Sequence, residues 1–62
     1  MTWNYRIISD GNEYWIGEVY YEGGEHVAYS DSVGPHGETV NEMMEDMERM
    51  AEALLKPVIT AW

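Results

Sequence analysis

The side chains in this chain that could do chemistry are twelve carboxylates, two histidines and a few serines. Ser30, Ser32 and His36 could be drawn into a nucleophile–base–acid set with a nearby carboxylate. No serine, however, sits in a Gly-x-Ser-x-Gly turn, the strained bend that presents a nucleophilic hydroxyl. There is no cysteine, which removes thiolate nucleophiles, thiolate metal ligands and disulfides together. His26 and His36, with Glu25 and Glu38 beside them, lack the third and fourth ligands at a recognisable spacing that a defined metal site needs. The acids do not follow a calcium-loop spacing. Gly34-Pro35-His36-Gly37 is short and lacks the lysine of a phosphate-binding loop. The expectation is a non-enzymatic protein without cofactor or metal, in which both histidines are ordinary polar residues.

Charge then narrows the choice of partner. The acids face only Arg6, Arg49 and Lys56, for a net charge of −9. Nucleic-acid binding depends on cations that neutralise phosphates, so three cations argue against direct DNA or RNA binding. Docking on an anionic membrane is disfavoured for the same reason. A protein with a basic surface is the partner that such a field would steer. Acidity also keeps a small protein soluble, so a structural accessory subunit or homodimer is the alternative. A chain this short buries only about 60% of its extended surface. With no disulfide to staple it, a homodimer or a larger bound protein is the expected source of extra stability.

Turn signals at Asp10-Gly11-Asn12, Gly23-Gly24 and 33–37 separate three runs rich in aromatic and β-branched residues. They predict a three-stranded antiparallel meander over about 3–9, 13–21 and 26–33. An odd-length first loop, with Asn12 left-handed, places Trp3, Tyr5, Ile7, Trp15 and Val19 on one face. The second turn has two solutions. A two-residue Gly23-Gly24 hairpin pairs Val19 with Ala28, whereas an odd loop pairs Val19 with Tyr29 and keeps the apolar face continuous; burial favours the second.

Thr39 and Glu42 fit a capping box, predicting a helix over about 40–56 that ends at Pro57. At 100° per residue, Val40, Met43, Met44, Met47, Met50, Ala51, Leu54 and Leu55 share an arc of roughly 140° and should face the sheet. Glu42, Glu45, Asp46, Glu48 and Glu52 lie opposite and form a candidate acidic binding face. Glu45–Arg49 and Glu52–Lys56 are expected i,i+4 pairs. The tail 57–62 is apolar enough to fold back on the sheet or the helix edge. Overall this predicts an α+β single domain, a β-β-β-α meander packed on one helix.

One helix covers one side of a sheet. In the odd register the other side carries Ile8, Tyr14, Ile16, Glu18 and Tyr20, an apolar patch of the kind that marks a dimer or partner interface. Arg6 could pair diagonally with Glu18 at its rim. The methionines could serve an adaptable interface, but their helical spacing favours a role in the core.

The segment Gly37-Glu38-Thr39 followed by Val40-Asn41-Glu42-Met43-Met44-Glu45-Asp46, together with the opening Asn4-Tyr5-Arg6-Ile7-Ile8, resembles the N-terminal domain of HicB-type antitoxins. That resemblance implies a β-meander leading into an acid-rich helix, and a sequestering role towards a protein partner. Trp3-Asn4-Tyr5-Arg6, Glu18-Val19-Tyr20-Tyr21 and Lys56-Pro57-Val58 also look like a group of short bacterial and phage proteins. In kind, the chain is similar to acidic phage-encoded inhibitors, anti-CRISPR proteins among them, whose carboxylates stand in for spaced phosphates. No apolar run reaches the ~18 residues of a membrane span, and the N-terminus lacks the pattern of a signal peptide. The expected setting is the cytoplasm of a bacterium or a phage-infected cell.

Overall fold

A computed structural model covers residues 1–62. The three alternating runs form β1 (Thr2–Ser9), β2 (Tyr14–Glu22) and β3 (Glu25–Tyr29). They are followed by the helix α1 (Val40–Glu52), one 3-10 turn (Ala53–Leu55) and a short β4 (Ile59–Thr60). The class is α+β, but the sheet has four strands in the order β3-β2-β1-β4. The apolar tail supplies the fourth strand, which pairs parallel to β1 through Ile8 and Ile59 and makes the sheet mixed.

The first hairpin differs from expectation by one residue. Ile8 lies opposite Trp15, and Ile7 opposite Ile16. The loop is therefore Asp10–Glu13, an even loop. Asp10 closes it by accepting the Asn12 and Glu13 amides at 2.9 and 3.0 Å, a side-chain mimic of a backbone turn. Gly11 rather than Asn12 takes the positive φ, at 96°. Because side chains alternate with period two, this single step exchanges the faces of β1 relative to β2.

The second turn satisfies both competing signals. Gly23 and Gly24 have φ of 61° and 83°, as a type I′ hairpin requires. Glu22 lies opposite Glu25 and Tyr21 opposite His26, yet Val19 lies opposite Tyr29. The ladder slips at a bulge that leaves Val27 without a partner, and the slip returns Tyr29 to the face of Val19.

One face of the sheet thus carries Ile8, Trp15, Val19, Tyr21 and Tyr29. Ile8, Val19 and Ile59 are its buried centre, with Trp15, Tyr21, Tyr29 and Ala61 packed around them. The sheet curls far enough for Trp62, just beyond β4 at one edge, to reach β3 at the other. Its ring lies 4.6 Å from Tyr29 and 5.6 Å from His26, and its carbonyl accepts the Tyr29 hydroxyl at 3.1 Å. Gly17 is needed here: a Cβ would stand 2.9 Å from the Ser30 carbonyl and 2.7 Å from Ile8.

The other face, with Trp3, Tyr5, Ile7 and Ile16, receives α1. Thr39 caps the helix by accepting the Glu42 amide at 3.1 Å, and Glu42 reaches back to the Glu38 amide at 3.0 Å. At its far end the helix tightens into the 3-10 turn, and Lys56 is already extended before Pro57, as the residue ahead of a proline prefers.

Candidate functional site

Only a narrow line of α1 touches the sheet. Within the helix and its 3-10 turn, the buried residues are Asp46, Met50 and Ala53. At 100° per residue this line is centred about 100° away from the centre of the apolar arc. The apolar face is therefore not the buried face. Val40, Met44, Met47, Leu54 and Leu55 are all more than half exposed, and Met43 is 42% exposed. Of the four helical methionines, Met50 alone enters the core.

Asp46 explains the rotation. Its Oδ1 accepts the Tyr5 hydroxyl at 2.7 Å, its Oδ2 accepts the His36 amide at 2.8 Å, and Arg49 approaches Oδ1 at 3.4 Å. Helix, sheet and connecting loop meet at one carboxylate. The Tyr5 hydroxyl and the His36 amide hold its pKa below the usual carboxylate value. Burial, then the bond to Asp46, pushes the Tyr5 phenol up to about 12. Asp46 is 6% exposed, so it belongs to the fold and not to an open acidic face.

Glu42, Glu45, Glu48 and Glu52 remain on the surface of α1. Glu42 is also committed to the helix cap, which leaves Glu45, Glu48 and Glu52 as freely presented charges. The ion pair in the structure is Arg49 with Asp46, at i,i+3, in place of the expected Glu45–Arg49 and Glu52–Lys56 pairs.

The sheet-face patch comes apart. The register step sends Ile8 into the core of one face, whereas Ile16, Glu18 and Tyr20 lie half-buried on the helix-bearing face. Tyr20 donates to Glu18 at 2.6 Å; that bond, chiefly, raises the Tyr20 pKa. Tyr14 stands open, 72% exposed. Arg6 does not meet Glu18 either. It crosses the opposite face to donate to the Pro57 carbonyl at 2.7 Å and the Tyr21 hydroxyl at 3.1 Å. Asn4 accepts from the same Tyr21 hydroxyl at 2.8 Å.

His26 is sandwiched by aromatic contacts with Tyr21 and Trp62, and no three potential metal-ligating side chains converge. An open apolar dimple of about 320 Å³ lies where Ile16, Val33 and Pro35 face Met47, Met50 and Ala51. Sequence periodicity pointed away from that surface, because it assigned the methionines to the interior. The available signal was the pairing of Asp46 with Met50 and Ala53 on one helical line, an acid aligned with core residues.

Compared with known proteins, the chain matches no family model, no curated protein and no solved structure. No helix is long and apolar enough to cross a membrane. The α+β class stands on the fold itself.

Proposed function

We propose that this chain is a small, non-enzymatic interaction module that binds a basic surface of another protein, of the kind that handles nucleic acid, and modulates it. The observation that carries this reading is the attachment of α1 by the Asp46–Met50–Ala53 line. Attached there, the helix presents Glu45, Glu48 and Glu52 outward without a cationic partner. Along the axis these carboxylates rise by steps of about 4.5 and 6 Å, a spacing suited to standing in for consecutive phosphates. In a chain of net charge −9, the surrounding field adds steering to contact. The expected setting is the cytoplasm of a bacterial or phage-infected cell.

A second reading follows the Gly37-Glu38-Thr39 segment. A Cβ on Gly37 would stand 2.5 Å from the Met43 amide, so this glycine is built into the start of α1. That start is the part of the chain that resembles HicB-type antitoxins, and on this reading the module sequesters a toxin-like partner with the same helix.

The test is affinity capture from bacterial lysate with the wild type and a Glu45→Lys/Glu48→Lys/Glu52→Lys variant, at low and high salt. Basic proteins retained by the wild type should be lost by the variant and released by salt, because exposed charge pairs are screened within about 10 Å at 0.1 M. Retention that ignores both changes, or a wild type that retains no basic protein, would sink the proposal.

A further inference from the structure

The fold leaves the apolar face of α1 unused. Val40, Met43, Met44 and Met47 of α1, with Leu54 and Leu55 of the 3-10 turn that continues it, make an exposed apolar stripe, which is more than the scattered apolar residues of an ordinary surface. Beside Met47 the stripe opens into the dimple floored by Met50 and walled by Ile16, Val33 and Pro35. A ridge of flexible methionines beside a dimple can repack around a protruding side chain, because the thioether chain is unbranched and polarizable.

Charge decides what lies on it. Glu48 and Glu52 follow directly on the solvent border of the stripe, with Glu45 just beyond, while the other border turns in towards the sheet. In a second copy docked by an antiparallel two-fold, the same patch meets itself. Glu48 and Glu52 would then face their own counterparts, between two chains of net charge −9 each. A partner with cations along one edge removes that repulsion and pairs with the border. We infer that the stripe binds an amphipathic helix of another protein, with one apolar face and Lys or Arg along its border, one of whose apolar side chains enters the dimple. This deepens the proposed binding of a basic protein surface and rests on it: it adds the shape of the bound element and an apolar share of the affinity.

The full chain, carrying labelled methionine methyl groups, is titrated by NMR with three synthetic peptides of equal length. One is an amphipathic Leu/Lys helix, one has every Leu replaced by Ser at unchanged charge, and one has every Lys replaced by Glu. The Leu/Lys peptide should saturate, shift the methyls of Met43, Met44 and Met47, and bind about tenfold or more tighter than either control. Met47→Gln with Leu54→Gln should lower its affinity about tenfold, as loss of a central apolar anchor does, and leave stability unchanged. Equal binding of the Leu-to-Ser peptide would overturn the inference while the basic-partner reading stands. Equal binding of the Leu/Glu peptide would overturn the role of charge, and the basic-partner reading with it. Absence of binding, shifts confined to the sheet, or a dimer in sedimentation that Met47→Gln/Leu54→Gln dissolves would each overturn it as well.

Discussion

At Asp46 a single carboxylate accepts hydrogen bonds from the sheet, the connecting loop and its own helix. Its depressed pKa means that the ionised form is bound more tightly in the folded chain than in the unfolded one. That contribution is fully present above the unfolded carboxylate value of about 4, and is lost as pH falls through the lower folded-state value. Asp10 titrates in the same direction, held down by the Asn12 and Glu13 amides, so the useful readout is a difference between variants. Asp46→Asn should be less stable than wild type at neutral pH, and the two should converge as pH is lowered. Denaturation midpoints recorded every half pH unit would show this, and parallel curves would remove Asp46 from the acid limb. Tyr5→Phe should shrink the same gap, since the phenol is the largest cause of the shift.

The helix, as an element, has one apolar side and docks by another. Met50→Ala should destabilise the fold by about 2–5 kcal/mol, the range for deleting a buried methionine side chain. Met47→Ala should stay within about 0.5 kcal/mol, as substitutions on an open surface do. Urea titration of the pair tests the orientation directly: equal losses would return the methionine stripe to the interior. The start of this helix was legible in the sequence because Thr39 and Glu42 act locally, through bonds within one turn. Its stop was legible because Pro57 disfavours the helical conformation at Lys56, which is extended. Its rotation was not, because periodicity reports which side is apolar and not which side finds partners. The two bonds that reach Asp46 from outside the helix, from the Tyr5 hydroxyl and the His36 amide, override the moment of the helix. The strands tell the same story. Their existence followed from aromatic and β-branched runs, but the register hung on an Asp10 turn of one extra residue. The Gly23-Gly24 turn and the Val19–Tyr29 pairing looked exclusive until the bulge at Val27 reconciled them.

For the molecule as a whole, two thin cores share one sheet. The helix closes one with Met50 and Ala53, and the curled face closes the other with Ile8, Val19 and Ile59. Arg6 and Trp62 tie the tail into the second core. Its guanidinium holds the Pro57 carbonyl, and the Trp62 ring spans from β4 to β3. Trp62→Ala removes two aromatic contacts, worth about 0.5–1.5 kcal/mol each. Thermal unfolding should show that loss, and amide exchange should quicken in β3 and β4 ahead of α1. Uniform quickening across the chain would mean that the curl is held by something other than Trp62. The residues of the candidate sheet-face interface do not share one surface, because the register step buries Ile8 on the face opposite Ile16, Glu18 and Tyr20.

The bulge at Val27 has a consequence beyond register. β3 is the outer strand, and a straight outer strand offers unpaired amides and carbonyls on which further chains can add. The bulge twists that edge, and Glu25 places a charge at its start. A chain with so small an interior gains from a border that other copies cannot extend. Deleting Val27 should straighten β3 and make the chain prone to fibril formation. Thioflavin binding that rises with incubation in the deletion variant, and stays flat in the parent chain, would record the change. A deletion variant that remained dispersed would show that the charge of −9 guards the edge without help from the backbone.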